Sequence, residues 1–351
     1  MRIPIVTIAA AAVMLAAGCS SPPRAPVVQP HVETPAVPSP SSKSYAYVVI
    51  SVADMDQALG LWLNRFGMAL VARRTGTDPA LARIWGLQSD EIIDQALLRT
   101  PGVNEGGVHL VRFKLPGPAV RADAATTDLV PKSVDIAVTE IQKRYDELSA
   151  AGYKFRSPVG TLTTGDVTVY EVHMPAQDGL NLVFVEQPAH PEPVSEQGYG
   201  VAPQIVMISP DNIKERDFFE KLMGLQQTSY NRFAGPQIEK TIGLPPGAGL
   251  DIRIMGDPAQ PFGRLEIVQY EGVQSRNLYP RAKPPARGML SVTYIVPSIA
   301  DLATRAKSMG AGGTSFVEHG QVSSLLGVGK MASVSSPAGL RIDFLEQSAA
   351  R

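Results

Sequence analysis

Residues Tyr47–Met68 read YVVISVADMDQALGLWLNRFGM and carry the pattern on which the rest of the chain is built. An apolar run ends at Asp54, apolar residues then recur at helical spacing, and Gly67 follows the last of them. A change from strand-like to helix-like periodicity predicts a strand followed by an amphipathic helix. The glycine suits a helix C-cap, where the backbone takes a positive φ.

This strand–helix unit occurs four times. Gln204–Leu225 reads QIVMISPDNIKERDFFEKLMGL, and weaker copies begin at Ser133 and Ser291. Tyr47 and Gln204 are 204 − 47 = 157 residues apart, and the two weaker copies are 291 − 133 = 158 residues apart. Offsets this similar indicate two homologous halves, each built of two modules of a strand, a helix and further strands.

Changes of composition divide the 351 residues into five segments. Residues 1–19 resemble a signal peptide, since a positive residue precedes a short apolar region. Residues 20–43 are rich in Pro and Ser and predict a semi-rigid tether. Residues 44–187 and 201–347 are the two globular halves, and a proline-containing linker, 188–200, joins them.

Cys19 ends the run LAAGC and is the single cysteine of the chain. An intrachain disulfide is therefore excluded. The run resembles the lipobox of bacterial lipoproteins, which implies that Cys19 carries a lipid anchor and that the protein lies in the bacterial cell envelope. Ser20 after the cysteine favours the periplasmic side of the outer membrane by the same resemblance. The alternative is an ordinary signal peptide that happens to contain a cysteine.

Composition and charge restrict the class of protein. The sequence is 44% hydrophobic and 19% charged, with a formal net charge of −1, as is typical of a globular protein with a substantial core. A chain without a net positive charge has no overall field that attracts nucleic acid, so no nucleic-acid partner is expected.

Four motifs, VADMDQALGLWLNRFGM, PDNIKERDFFEKLMG, GRLEIVQYEG and SPAGLRIDFLE, resemble the vicinal oxygen chelate superfamily, which includes glyoxalase I, bleomycin-resistance proteins and extradiol dioxygenases. The resemblance covers both halves. It implies an α+β fold of two tandem domains, each made of two βαβββ modules curled into a cup-shaped antiparallel sheet. It does not specify the reaction, because one fold serves several chemistries.

The resemblance also implies where a metal would bind. Ligands in this superfamily come from the first and last strands of each module, and in the second half those positions hold Gln204, Glu266 and Asp343, with Ser291 a weaker candidate. Oxygen donors suit a divalent cation such as Mn, Ni, Zn or Fe. The missing imidazole weakens the case for Zn or Ni and disfavours an extradiol iron site. Each residue also has a structural interpretation, as a strand-end or ion-paired polar residue.

The first half offers fewer ligands. Its matching positions are Tyr47, His109, Ser133 and Val183. One ligand among four does not hold a metal, so His109 is a weaker candidate and this half is expected to be structural. His173 is a spare candidate for polar contacts or proton transfer.

Two functions follow as hypotheses. In the first, the second half is a metal-dependent lyase or isomerase of the glyoxalase type, in which Glu266 moves a proton. In the second, the cup is a metal-free binding module of the bleomycin-resistance type, lined by aromatic residues such as Trp62, Phe218 or Tyr294. Both imply a small-molecule ligand, and a homodimer is compatible with either.

The connection between the last two modules contains Arg276, Arg281, Lys283 and Arg287. These residues predict either a clamp for a carboxylate or phosphate at the mouth of the cup or a solvated connection that its prolines keep from forming a helix.

Overall fold

The order of secondary structure repeats four times, as the sequence predicts. The computed structural model describes residues 41–164, 167–310 and 315–348. The strands in these ranges are β1 (Tyr47–Ser51), β2 (Ala69–Thr75), β3 (Ile92–Arg99), β4 (Gly107–Phe113), β5 (Pro131–Val138), β6 (Gly160–Thr164), β7 (Val167–Pro175), β8 (Asn181–Glu186), β9 (Tyr199–Ile208), β10 (Gln226–Ala234), β11 (Gly249–Gly256), β12 (Arg264–Glu271), β13 (Gly288–Ile295), β14 (Val317–Ser324), β15 (Gly327–Ser335) and β16 (Arg341–Gln347).

The helices are short, and each module has one after its first strand, while the first and third modules have another after their second strand. They are α1 (Met55–Leu59), which continues as a π-helical stretch, Gly60–Arg65, then α2 (Pro79–Ile84), α3 (Ile141–Ala150), α4 (Asn212–Met223), α5 (Pro236–Ile242) and α6 (Ile299–Ser308). No helix in the described ranges has the length and apolarity needed to cross a membrane.

The strands form two eight-stranded sheets. The first has the order β14-β15-β16-β13-β1-β4-β3-β2, and the second has the order β10-β11-β12-β9-β5-β8-β7-β6. Each sheet is therefore built from two βαβββ modules, which confirms the predicted fold class. The sheets are mixed rather than antiparallel, because the first and last strands of every module pair in parallel.

The modules combine differently from the expectation that each half forms its own cup. The first sheet joins the first module to the fourth through antiparallel pairing of β1 with β13, and the second joins the middle two modules through β5 and β9. The predicted boundaries of the halves, 44–187 and 201–347, stay predictions. Each sheet takes one module from each half.

Two connections that run side by side explain this pairing. Residues 114–130 leave the first sheet for the second, and residues 272–287 return. Their backbones are hydrogen-bonded, with the amide of Gly117 donating to the carbonyl of Pro285 over 2.8 Å. The linker between β8 and β9, in contrast, joins two modules of one sheet, as is common for consecutive elements.

Ion pairs hold the two connections together. Arg276 Nη2 lies 2.6 Å from the buried carboxylate of Asp128, and both Arg276 and Arg281 contact Asp123. Arg287 donates to Asp178, which follows β7. The basic connection is therefore structural. The clamp interpretation is not supported for these three arginines.

The starts of two helices show which side chains accept hydrogen bonds from the first backbone N–H groups. Asp211 accepts a hydrogen bond from the backbone N–H of Lys214 at the start of α4, an N-cap of the expected kind. At α3 the helix start is satisfied differently. There Glu186 of β8 accepts from the first two backbone N–H groups, both over 2.9 Å, because the last strand of the module lies beside the helix start.

One large apolar core contains residues of both sheets and of the helices. In it Phe66 packs against Tyr199, with ring centroids 4.7 Å apart, and against Phe184. The aromatic residues Trp62, Phe218 and Tyr294 belong to this core. They do not line a cup, so that part of the binding-module hypothesis is wrong.

The two sheets differ in the apolar clusters on the faces that point away from this core. On the first sheet, α2 and the residue after it, Trp85, pack into a second apolar cluster together with Tyr47 and Phe113. On the second sheet the corresponding cluster is smaller and includes Ile238 and Ile242 of α5. The face of the first sheet is filled, and the face of the second encloses a cavity.

Candidate active site in the second sheet

A cavity of about 430 Å³ lies against the face of the second sheet, within the range typical of ligand sites. Its apolar wall comes from β6 to β12 and α5. The polar side chains that line it include Lys132, Asp135, Glu171, His173, Gln204, Glu266 and Tyr270. A neighbouring cavity of about 230 Å³ shares Asp135, Glu192 and Gln204 with it.

Asp135, Gln204 and Glu266 form one hydrogen-bonded group on three adjacent strands. The amide nitrogen of Gln204 donates to Asp135 Oδ2 over 2.9 Å and to Glu266 Oε2 over 2.5 Å. The pairing of β9 with β5 and β12 places the three residues side by side. One amide nitrogen therefore lies within hydrogen-bond distance of two carboxyl groups, one buried and one partly buried.

Burial and mutual repulsion oppose ionisation of these carboxyl groups. Desolvation raises the pKa of Glu266 to about 7, with a further contribution from the charge of Glu171. The pKa of Asp135 is raised well above its ordinary value by desolvation and by the charge of Glu266. Two like charges that share a site without a cation favour a protonated form. The cluster holds a proton near neutral pH.

Two further polar pairs lie in the cavity. The ammonium of Lys132 donates to the phenolic oxygen of Tyr270 and lies 4.7 Å from the centre of its ring. His173 Nε2 donates to Glu171 Oε1 over 2.6 Å, and the other ring nitrogen of His173 is buried without a hydrogen-bond partner. The cavity therefore contains several groups able to exchange protons.

The structure brings together two of the three predicted metal ligands. Gln204 and Glu266 are neighbours on β9 and β12. Asp343 lies on β16 of the first sheet, where its carboxylate accepts from Arg341 and from Ser291 Oγ. The expectation that Asp343 completes a site with Gln204 and Glu266 is wrong, because the fourth module pairs with the first module and not with the third.

The weaker candidates, His109 and Ser291, lie in the first sheet with Asp343. His109 is fully buried, and its Nε2 lies 2.9 Å from Gln95 Oε1. Burial lowers the pKa of His109 to about 4, so its ring is neutral at physiological pH. Trp85 packs 6.3 Å from the imidazole, centroid to centroid, and fills the space that a ligand would need.

Sequence reasoning missed Asp135 and Lys132. Asp135 stands two residues after Ser133 in an otherwise apolar strand, SVDIAV, and this alternation places both on the face that borders the cavity. A charged residue inside a buried strand was the available signal. Lys132 gave no comparable signal, because a register shift between Pro131 and Ser133 breaks the alternation there.

The donor set fits a hard divalent cation. Two carboxylates converge, with the nitrogen and not the oxygen of the Gln204 amide facing them, and Asp135 Oδ1 is buried without a hydrogen-bond partner. Within residues 41–164, 167–310 and 315–348, no group of three or more His, Cys, Asp or Glu residues is arranged to hold a metal. A set of two carboxylates suits Mg²⁺ or Mn²⁺, which retain water ligands, better than Zn, Ni or Fe.

Solved structures confirm the fold. The chain matches glyoxalase I from Zea mays with a TM-score of 0.56 and 17% identity, over 86% of this chain and 92% of that one. A mutant of the same enzyme matches with a TM-score of 0.59 and 16% identity, over 87% and 94% of the two chains. A candidate dioxygenase from Bacillus subtilis matches with a TM-score of 0.50 and 11% identity, over 88% and 86%.

These matches share one architecture. The chain has the fold of the vicinal oxygen chelate superfamily, as the motifs predict. No protein-family model matches the sequence, and a comparison with curated proteins gave no match. At these identities the likeness establishes the fold, and the chemistry has to be argued from the cavity.

Proposed function

We propose that the cavity of the second sheet is the active site of a lyase or isomerase that moves a proton on a small oxygenated molecule. The observation that supports this most directly is the hydrogen-bonded group of Asp135, Gln204 and Glu266 facing an apolar cavity. Buried carboxyl groups with raised pKa values cost stability, and such groups are concentrated at functional sites.

Glu266 is the proton carrier in this proposal. Its pKa of about 7 allows it to accept and return a proton near neutral pH, where general acid–base catalysis is most effective. The carboxylate removes a proton from the hydroxyl-bearing carbon next to a carbonyl group and returns it to the former carbonyl carbon. The hydroxyl proton passes to the former carbonyl oxygen, so the substrate is isomerised without loss of atoms. Gln204 orients the carboxylate through its amide nitrogen.

Asp135 and Glu266 would also hold a divalent cation. A cation bound there would supply Lewis-acid polarisation of a substrate oxygen. It would favour the ionised form of both carboxyl groups, since an opposite charge removes their mutual repulsion.

A metal-free binding module is the second candidate function. The apolar residues of β6 to β12 and α5 that wall the cavity favour it, because they would bind a small apolar ligand with or without catalysis. The two candidates differ in whether Glu266 exchanges protons with the ligand. A homodimer remains a prediction under both.

Isotope exchange separates the two candidates. Hydroxyacetone and lactaldehyde are isomers related by such a proton transfer, and the protein should catalyse incorporation of deuterium from D₂O into them, followed by NMR. Glu266→Gln should abolish the exchange, and Asp343→Asn, in the first sheet, should leave it unchanged. Exchange no faster than without protein, with and without added Mg²⁺ or Mn²⁺, would contradict proton transfer on this substrate class and favour the binding module.

We also propose that the protein is anchored in the bacterial envelope through a lipid on Cys19. Residues 1–40, which include the signal peptide and most of the tether, lie outside the described residues, so this proposal depends on the LAAGC run. Cys19→Ala should release the protein from membranes or stall its processing. Normal cleavage and membrane retention of the variant would contradict a lipid anchor.

A further inference from the structure

Three positively charged residues are concentrated around one part of the cavity. Lys132 lines it, and the guanidinium groups of Arg121 and Arg156 act electrostatically on both Lys132 and Tyr270. Lys132 has only 4% of its surface exposed. One terminal nitrogen of Arg121 is buried without a hydrogen-bond partner.

None of these three cations forms a salt bridge within the described part of the chain, whereas Arg276 and Arg287 of the connections do. The nearby charges that attract Lys132 are those of Glu171 and Glu266. The carboxylate of Glu171 is hydrogen-bonded to His173, and that of Glu266 to Gln204. Lys132 is buried and Arg121 is partly buried, and placing like charges together in this way is unfavourable unless an opposite charge compensates them.

The electrostatics of the free protein reflect this imbalance. Desolvation lowers the pKa of Lys132 to about 7, and repulsion from Arg121 and Arg156 contributes. The pKa of Arg121 is lowered to about 10 by burial and by the charge of Arg156. A bound anion would reverse both effects, because it stabilises the protonated forms.

We infer that the ligand of this cavity is a small organic acid whose carboxylate binds against Lys132, with Arg121, Arg156 and the hydroxyl of Tyr270 around it. This rests on the proposed function, since it names the class of molecule that occupies the same site. The apolar wall accommodates the remainder of the ligand, and the volume of about 430 Å³ limits it to a small molecule. Glu266, the proton carrier, faces the same cavity.

Matched acids and amides test the charge requirement. Binding of acetate, lactate, benzoate and phenylacetate is compared by calorimetry with binding of acetamide, lactamide, benzamide and phenylacetamide to the full chain. At least one acid should bind about tenfold or more tightly than its amide, the effect of a charge-assisted hydrogen bond in a buried site. Lys132→Met should remove this preference, whereas Lys283→Met, at an exposed position on the connection, should not.

Proton uptake provides a second readout. At pH 8 most of the Lys132 amine is neutral in the free protein, so carboxylate binding should take up a proton, seen as a binding enthalpy that depends on the buffer. This uptake should be lost in Lys132→Met. If that variant does not fold, Arg121→Gln should weaken acid binding without changing amide binding.

The inference is wrong if no acid in the panel binds more tightly than its amide. Equal binding of acid and amide would still leave the cavity as a ligand site, so the inference would fail alone. The inference would also fail alone if deuterium exchange depended on Glu266 while no acid bound more tightly than its amide. Acid binding without exchange would support the inference while contradicting the proton-transfer chemistry.

Discussion

Replacing Glu266 by glutamine should make the protein more stable at pH 8 and have little effect at pH 4.5. Glu266 is partly buried, and its folded-state pKa is raised above the ordinary value of 4.5. An acid of this kind stabilises the fold fully below its unfolded pKa, and the contribution is lost as the pH rises through the folded pKa. The relevant window is therefore pH 4.5 to about 7.

The magnitude follows from the two pKa values. A pKa of about 7 in the folded chain against 4.5 in the unfolded chain corresponds to about 3 kcal/mol lost above pH 7, at about 1.4 kcal/mol for each pKa unit. The introduced amide is also costly to bury, and Lys132 loses a carboxylate that favours its charged form. We expect a net gain of about 1–2 kcal/mol at pH 8, or about 3–6 °C in Tm.

Urea denaturation of the purified protein at pH 4.5, 6, 7 and 8 measures this gain. The difference between variant and wild type should grow with pH and level off above pH 7. Glu318→Gln is the matched control, because Glu318 is exposed on β14 and should change stability by less than about 0.5 kcal/mol at every pH. A variant that is less stable than wild type at pH 8 would refute the assignment of Glu266 as an uncompensated, partly buried carboxylate.

Three further predictions concern the framework. Trp85→Ala should lower the free energy of unfolding by about 3–5 kcal/mol, whereas Ile242→Ala, which borders an existing cavity, should cost about 1–2 kcal/mol in the same denaturation assay. Asp128→Ala should cost about 2–4 kcal/mol, because the variant loses a buried partner of the crossing connections. Residues 41–187 and 199–348, produced separately, should be unstable alone and co-purify when co-expressed, since each sheet needs a module from both.

Much of the fold was predictable because it repeats. The offset that relates Tyr47 to Gln204 is enough, on the sequence alone, to establish two homologous halves. The pairing of modules was not predictable from that offset, because a first strand with the same apolar pattern can hydrogen-bond to either neighbour. It depends on connections such as residues 114–130, whose ion pairs with residues 272–287 join positions far apart in the sequence.

Part of the candidate site was predictable for the same reason. Gln204 and Glu266 belong to one module, so their adjacency is independent of which module comes next to them. Asp343 belongs to another module. The predicted position of Asp343 was wrong because that module pairs with the first module and not with the third. Asp135 takes the position beside Gln204 because β5, and not β13, borders β9.

The two sheets differ most at positions that the repeat makes equivalent. Where the second sheet has Gln204 and Glu266, the first has Tyr47 and His109, and the large ring of Trp85 lies in the cluster beside them. Aromatic rings occupy volume that a ligand would need. His109 is neutral, so the first sheet has no charge at the position that Glu266 takes in the second. The apolar cluster on the first sheet takes residues from both the first and the fourth module, which come from different halves. The second sheet keeps its polar groups, so the asymmetry follows the sheets and not the order of the halves.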